Sequence, residues 1–363
     1  MVERLATTLD LGTTSESEKE LLKGDSPIKR EINDIVKMSR AAAKQETCYY
    51  CGKEVSSFCN SHSVPAFCLR NISEDGNVLT LNALIDNPLF ESEKGIKKAG
   101  TFQLICRDCD SKIFAEYENP ENYIAKPSPK MIAQMALKNN LKSISKRLVE
   151  IEMYRIGQEV AGRKSDFLDV KTEISKIDLK EYIAGYHKAK KAIERDRTSE
   201  YYVCFYERLP YVVPIAFQCS VALVFDFEGN IINDIYNRST DYEIKNIHIS
   251  ILPMKNDSII LMFLENDDTR YRKFYKQFRK LPLDDKLAAL TFIMFAYSED
   301  MYFSKEIQEA VKSSEKLCTI GRSTEEIFSF TRFFDPYRTL KETYDLSRRH
   351  SIPNLLSSEY KLR

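Results

Sequence analysis

The chain has 363 residues, which is long enough for two or three domains. Its 43% of hydrophobic and 30% of charged residues are typical of soluble globular proteins. Its 54 basic and 54 acidic residues give a formal net charge of zero, so binding to nucleic acid would require a local basic patch. Glycine is scarce, with 11 residues, and neither a GxGxxG nor a Walker A motif occurs, which disfavours glycine-rich phosphate loops.

The cysteine content indicates a reducing compartment. Nine cysteines occur in a chain whose first residues lack the basic and apolar regions of a signal peptide. In such a compartment, paired cysteines bind metal more often than they form disulfides. The longest mostly apolar run, at 211–225, is too short to cross a bilayer. We therefore expect a cytoplasmic protein that does not enter the membrane.

The first predicted elements are a leader and a helix. Residues 1–25 are rich in Thr, Ser, Glu and Gly and show little periodicity, so we expect a mobile leader. Ser26 and Pro27 are a typical cap and first-turn pair, and apolar residues then recur at helical spacing. These signals predict a helix over 26–45. The segment that follows, 46–126, is the predicted zinc module.

Two CxxC pairs, Cys48/Cys51 and Cys106/Cys109, are the most informative feature of the chain. Tetrahedral zinc is commonly held by four thiolates, and a gap of two residues lets one tight turn direct two sulfurs toward one point. Gly52 suits the open backbone of a zinc knuckle. The second pair runs into a helical pattern, which places Cys109 in a first helical turn. Knuckle, hairpin and helix around one zinc predict a treble clef; four unligated buried cysteines are the alternative.

Further residues around the cysteines form a recognisable pattern. They are SHSVP at 61–65 and TFQLICRDCDSK at 101–112. This segment resembles the treble-clef nucleases of the HNH family. That family has a catalytic His followed by apolar residues and Pro, and continues through Asn-Leu-x-Leu-Leu-Cys-x-x-Cys-His/Asn-x-x-Lys. The match covers the zinc module and none of the remaining chain.

The resemblance implies a metal-dependent endonuclease that hydrolyses phosphodiester bonds. His62 would be the general base that activates water. Asp110 would stand where the family has a helix His or Asn, and would bind a catalytic Mg²⁺ or Mn²⁺ ion. The four cysteines would hold a structural zinc ion. HNH modules fused to other domains resemble prokaryotic antiviral defence effectors, and the resemblance implies that setting too.

Two positions depart from the family pattern. Ser61 stands where the family commonly has a metal-binding Asp, Glu or His, and Thr101 stands near the Asn that steadies the His loop. A second hypothesis is therefore a non-catalytic zinc module that binds nucleic acid or protein. Cys59 and Cys68 flank His62, and a further alternative makes Cys59 and His62 half of a second zinc site. The sequence offers no clear fourth ligand for that site, and the competing interpretation of Cys68 is a small buried apolar residue.

Two helical patterns follow over 127–198. Within 129–162 the apolar positions alternate by four and three residues, which is typical of a helix that packs along another helix. A second pattern begins after Gly162 and continues to about residue 197. An antiparallel hairpin is the predicted structure, and a homodimeric coiled coil is the alternative. This hairpin and the C-terminal domain are candidate surfaces for a second copy of the chain or a partner protein.

The remaining segment, 199–363, predicts an α+β domain of unknown role. Runs rich in β-branched and aromatic residues predict an antiparallel sheet. The predicted strands are 201–209, 212–227, 231–236, 244–252 and 258–264. Helical patterns return at 281–296 and 307–311. The predicted fold class is thus α+β, with an N-terminal treble clef, a helical hairpin linker and a C-terminal antiparallel sheet with helices.

One stretch of this domain is strongly basic. Six basic residues and no acidic residue lie between positions 270 and 280, and the aromatic residues among them recur at helical spacing. This spacing predicts a helix that buries its aromatic side and exposes a basic stripe suited to phosphate contacts. The candidate nucleic-acid contacts are Arg270, Arg272, Lys273 and Lys276, with DNA expected in preference to RNA. A solvated charged face is the alternative.

A histidine lies on a predicted strand of the same domain. His248 shares its strand face with Asn246 and Ser250, while isoleucines face the other way. Such a polar face predicts either the lining of a ligand pocket or the solvent side of an antiparallel sheet. The sequence gives no sign of a second active site.

Overall fold

The computed structural model describes residues 27–81, 92–197, 199–237, 239, 241–326 and 336–363. The predicted leader lies outside these residues. The structure combines helices with a large antiparallel sheet, so the α+β prediction is confirmed. Across the described ranges, no helix has both the length and the apolar composition needed to span a bilayer.

The helices are α1 (Pro27–Ala42), α2 (Ala66–Ile72), α3 (Arg107–Ile113), α4 (Pro129–Ala161), α5 (Asp166–Glu194), α6 (Arg272–Lys280), α7 (Leu283–Tyr297), α8 (Glu309–Lys312), α9 (Glu315–Glu326) and α10 (Pro336–Tyr344). The strands are β1 (Ser61–His62), β2 (Asn77–Thr80), β3 (Ser92–Gly95), β4 (Thr101–Phe102), β5 (Tyr201–Leu209), β6 (Ile215–Val221), β7 (Ile247–Pro253), β8 (Ser258–Glu265) and β9 (Met301–Phe303).

Helices α4 and α5 form the predicted hairpin. The side chain of Ser128 accepts a hydrogen bond from the N–H of Met131 and caps the start of α4. The helix ends at Gly162, whose φ of 67° lies in the left-handed region that favours glycine. Ser165 then caps α5 by accepting from the N–H of Leu168. A short connection between two capped helices turns the chain back on itself.

The main sheet has seven strands in the order β3-β2-β9-β6-β7-β8-β5, and every pairing is antiparallel. Strands β2 and β3 lie within the predicted zinc module, and they extend the sheet of the C-terminal half. The link is the pairing of β2 with β9, in which Leu79 lies opposite Phe303. The zinc segment and the C-terminal segment therefore share one sheet, and the division of the chain into separate domains stays a prediction.

The two faces of the sheet pack into different cores. On β8, Ile260 and Met262 enter one core, which contains side chains of α6 and α7. Leu261 and Phe263 enter the other, which contains α4 and the zinc segment. Because successive residues of a strand point to opposite faces, the two cores lie on opposite faces of the sheet, and both faces are covered. Helix α6 and the zinc segment consequently lie on opposite sides of the sheet.

The strand predicted at 231–236 is wrong. Ile231 makes only an isolated bridge to Phe225. The side-chain amide of Asn233 donates to loop carbonyls, including that of Lys245, and thereby replaces ladder hydrogen bonds. Polar side chains that bond to nearby backbone favour loops over strands.

The other predicted strands are confirmed with changed bounds. Strand β5 has the predicted limits, β8 ends one residue later than predicted, and β7 begins three residues later and ends one residue later. The predicted strand at 212–227 is shorter, because only Ile215–Val221 pairs with β7 and β9. Strand β9 was not predicted, since its three residues are too few to show an alternating pattern.

Candidate metal centre and the adjoining buried network

The cysteines of the two CxxC pairs come together. Their Sγ atoms all lie within 4.8 Å of one another. Sulfurs around a tetrahedral zinc ion, with Zn–S bonds of about 2.3 Å, are about 3.8 Å apart, so the cluster fits zinc in ligand type, number and spacing. Over the described residues, no other group of three or more potential ligands is as close. The candidate metal centre is therefore Cys48, Cys51, Cys106 and Cys109.

Backbone hydrogen bonds shape the turn of the first cysteine pair and stabilise the thiolate form of Cys48. The N–H of Gly52 donates to the carbonyl of Cys48 at 2.8 Å, and Gly52 has a φ of 70°. The N–H of Cys106 donates to Cys48 Sγ at 3.2 Å. Burial acts to raise the pKa of Cys48, but backbone hydrogen bonds outweigh it and lower the pKa to about 7. This sulfur is readily available as a thiolate ligand.

The second pair lies at the start of helix α3. Cys106 directly precedes the helix and accepts the N–H of Asp110 through its carbonyl, at 3.0 Å. Cys109 lies in the first turn, as predicted. Strands β1 and β4 pair beside them, with His62 opposite Thr101. Knuckle, strand pair and helix thus follow in the order predicted for a treble clef.

The knuckle packs against helix α5. The rings of Tyr49 and Tyr186 meet edge to face with centroids 5.1 Å apart, and the Tyr186 hydroxyl donates to the carbonyl of Tyr49 at 3.0 Å. The ammonium group of Lys190 donates to the carbonyl of Tyr50 at 2.7 Å and lies 4.3 Å from the centre of its ring. The two residues between the cysteines therefore fix the metal centre to the hairpin.

His62 lies half-buried on β1. Its Nε2 is 2.9 Å from the carbonyl oxygen of Ile96. A carbonyl can only accept a hydrogen bond, so Nε2 carries a proton and Nδ1 is the unprotonated nitrogen of the neutral ring. Nδ1 makes no hydrogen bond to any residue that the structure describes. The ring is therefore oriented, and it retains one basic nitrogen.

Asp110 has a different environment from His62. Ser61 directly precedes His62 on β1, so the two side chains point to opposite sides of the strand. The Ser61 side chain is fully buried, whereas that of His62 is not. The Ser61 hydroxyl donates to Asp110 Oδ1, while Cys59 Sγ donates to Asp110 Oδ2 at 3.4 Å. Lys138 is the third donor to the carboxylate, and it also bonds to Oδ1. Both carboxylate oxygens thus have partners, and among the described contacts none joins Asp110 to His62.

Lys138, on helix α4, was not identified from the sequence. Its side chain is fully buried. The Nζ atom donates to Ser61 Oγ at 2.9 Å, to Asp110 Oδ1 at 3.1 Å and to Glu118 Oε1 at 2.9 Å. It also lies 3.6 Å from the centre of the Phe114 ring. Burial acts to raise the pKa of Asp110, but the Lys138 charge and the hydrogen bonds from Ser61, Lys138 and Cys59 together outweigh it and lower that pKa.

The residues of the suggested second zinc site have separate partners. Cys59 donates to Asp110, whereas His62 bonds to the carbonyl of Ile96. Cys68 is fully buried in an apolar core, where burial raises the pKa of its thiol. This environment suits a small apolar residue rather than a metal ligand.

The basic stretch forms helix α6 with its aromatic side buried, as predicted. Phe274 and Phe278 are buried in the core between the sheet and helices α6 and α7. The basic side chains are exposed and form no ion pair with described residues. We call the following five residues the basic face: Arg272, Lys273, Lys276, Arg279 and Lys280.

Arg270 has a different role from the residues of the basic face. Its guanidinium donates to Asn233 Oδ1 at 3.0 Å and to the carbonyl of Glu243 at 2.7 Å. It also lies 4.7 Å from the ring centre of Tyr242. Arg270 therefore holds neighbouring loops together through Nη1.

Comparisons of the chain with protein-family models, with curated proteins and with solved structures found no match.

Proposed function

We propose that this chain is a nucleic-acid-binding protein in which the zinc module is structural and helix α6 contacts phosphates. The observation that carries the proposal is the basic face of α6. At about 100° per residue, its five cations lie within an arc of about 120°, opposite Phe274 and Phe278. An exposed cation without an ion-pair partner can contact a phosphate without first breaking a salt bridge.

The structural role of the zinc module rests on its ligand set. Four thiolates close the coordination shell of zinc and leave no open position for water or substrate. The ion would join the knuckle to helix α3, and the knuckle is in turn fixed to the hairpin by Tyr49 and Tyr50. When bound, zinc supplies a cross-link between these segments rather than a reactive group.

The surroundings of Asp110 support a protein that does not hydrolyse its ligand. A divalent ion at Asp110 would lie beside the ammonium group of Lys138, which is 3.1 Å from Oδ1. Like charges at this distance repel strongly where water is excluded. The ammonium already pairs with both Asp110 and Glu118, so a divalent ion would have to displace it to bind Asp110.

A salt-dependence experiment tests the binding proposal. Affinity for duplex DNA is measured at several salt concentrations for the wild type and for the triple variant Arg272→Gln, Lys273→Gln, Lys276→Gln. Each lost phosphate contact should remove about 0.9 from the slope of log affinity against log salt, so the slope should fall by about 2.7. The matched control changes three exposed lysines of the zinc segment to Gln: Lys97, Lys98 and Lys112. Equal slopes in the wild type and the α6 variant would refute the role of α6.

A metal-dependent HNH-like nuclease is the second candidate, and the orientation of His62 favours it. The unprotonated Nδ1 is the group that a general base needs. Asp110 would then have to exchange Lys138 for Mg²⁺ or Mn²⁺. Plasmid DNA incubated with either ion distinguishes the two candidates. Cleavage by the wild type, lowered about 10²- to 10⁴-fold by His62→Ala at unchanged zinc content, would establish the nuclease.

A further inference from the structure

A cavity of about 420 Å³ lies between helix α5 and the adjacent ends of β7 and β8. This volume falls within the range of small-molecule sites. The cavity is on the face of the sheet that α4 covers, and both α4 and α5 contribute to its lining. Neither the metal centre nor the basic face borders it.

His248 lines the cavity and is only 4% exposed. Its Nδ1 is 3.0 Å from Asn139 Nδ2. The orientation of Asn139 is fixed because its Oδ1 accepts from Gln218 Nε2 at 3.0 Å, and Gln218 Oε1 accepts from the Tyr117 hydroxyl at 3.1 Å. Nδ1 of His248 is therefore an acceptor, and Nε2 carries the proton. The polar strand face predicted from the sequence is thus a buried cavity wall rather than a solvent-facing surface.

The Nε2–H group of His248 has no hydrogen-bond partner among the described residues. Burial lowers the pKa of His248 to about 3, so the ring is neutral at physiological pH. The ring is fixed in place by stacking on Phe263, with centroids 4.7 Å apart. A buried, oriented donor that faces a cavity is a binding element for a ligand acceptor.

Asn140 supplies the complementary acceptor. It is 6% exposed and lines the same cavity. Its Nδ2 donates to the carbonyl of Ala136 at 2.9 Å, which leaves Oδ1 as the free atom within the described structure. One donor and one acceptor, both in fixed orientations, therefore line the cavity.

The charges of the cavity favour a cationic ligand. Five carboxylates and three lysines line it, an excess of two negative charges. Lys188 pairs with Glu265 at 2.9 Å and with Asp267 at 2.8 Å. Glu181 forms no ion pair with any described residue and accepts only the N–H of Ile244, at 2.9 Å. An anion such as a nucleotide would add to this negative excess.

We infer that the cavity binds a small organic cation, an amine or guanidinium compound with a second polar group. Its cationic group would pair with Glu181, and its polar group would bond to His248 and Asn140. Burial, with repulsion from Asp178 and Glu243, raises the pKa of Glu181 to about 7. A bound cation would reverse this effect by stabilising the ionised carboxylate.

Calorimetric titration with 4-aminobutanamide tests the inference, because its ammonium group can pair with Glu181 while its carboxamide can accept from His248 and donate to Asn140. We expect saturable binding to the wild-type protein and an affinity about tenfold lower for Glu181→Gln, which keeps the acceptor for Ile244 but removes the charge. The control Glu173→Gln removes the same charge from an exposed position of α5 and should change the affinity less than twofold. AMP serves as the anionic comparison and should not bind.

Three results would each overturn the inference. The first is the absence of saturable 4-aminobutanamide binding to folded wild-type protein. The second is an equal loss of affinity in Glu181→Gln and Glu173→Gln, which would indicate general charge attraction. The third is AMP binding that displaces 4-aminobutanamide from the cavity.

Discussion

Lys138 and Asp110 form a buried ion pair that joins helix α4 to helix α3, with Nζ 3.1 Å from Oδ1. The lysine side chain is fully buried, and the aspartate side chain is 14% exposed. Glu118 contributes a second carboxylate at 2.9 Å. One ammonium thus pairs with two carboxylates beside the metal centre. A buried charge that loses its partner is costly, so this pair couples the zinc segment to the hairpin.

Replacement of Lys138 should destabilise the protein strongly. Lys138→Met would leave Asp110 and Glu118 without a cation, and breaking a buried pair costs about 3 to 5 kcal/mol. Lys130→Met is the matched control, because Lys130 is on the same helix and pairs with Glu116 at an exposed position. An exposed pair is worth less than about 1 kcal/mol. The free energy of unfolding in urea measures both variants.

A double variant checks the cause of that loss. Lys138→Met combined with Asp110→Asn removes one of the uncompensated charges and should recover part of the lost stability. Equal destabilisation by Lys138→Met and Lys130→Met would mean that the buried pair contributes no more than the exposed one.

The sequence predicts the metal centre because its signal is local. Two cysteines separated by two residues form a chelating turn by themselves, so the fold is needed only to bring the two turns close together in space. The network around Lys138 has no such local signal. The lysine occurs in an apolar part of α4, which suggests a buried partner, but Asp110 is 28 positions away and Ser61 is 77 positions away. Only tertiary structure brings these side chains together.

The strands of the main sheet show the same limit of prediction from local sequence. Strands β5, β7 and β8 are long enough for β-branched and aromatic residues to reveal them. Strands β2, β3 and β9 have three or four residues each and are formed by pairing with one another and with β6. His248 illustrates the consequence for the site. Its strand face was identified correctly, but whether that face meets solvent or α4 depends on distant packing.

The purified protein should contain one zinc ion per chain. Cys106→Ser should lower the zinc content and destabilise the zinc segment, because binding of structural zinc is worth about 10 to 16 kcal/mol in finger peptides. Cys318→Ser is the control, since Cys318 lies outside the cluster. Elemental analysis and thermal unfolding are the measurements. A wild-type protein that folds at full stability without metal would show that the cluster is not a zinc site.

Helix–helix packing in the hairpin should depend on Gly185. A Cβ atom at this position would lie 2.7 Å from Asn140 Oδ1. Cβ atoms in protein structures essentially never approach another heavy atom this closely. Gly185→Ala should therefore destabilise the protein by about 1 to 3 kcal/mol, despite the better helix propensity of alanine. Gly95→Ala is the control, because its nearest contact would be 3.6 Å. A stability gain in Gly185→Ala, measured by urea unfolding, would contradict the close packing.

Glu181 should make stability depend on pH. Its pKa is raised from 4.5 to about 7 in the folded protein, with burial as the largest cause. Between about pH 4.5 and 7 the folded state therefore holds a proton that the unfolded state has released, and stability falls as the pH rises through this window. Glu181→Gln removes the titration and keeps the acceptor for the N–H of Ile244. The melting temperature of this variant, relative to the wild type, should rise from pH 4.5 to 7 and level off above it. Glu173→Gln should show no such rise, and a flat difference for Glu181→Gln would mean that Glu181 ionises normally in the folded protein.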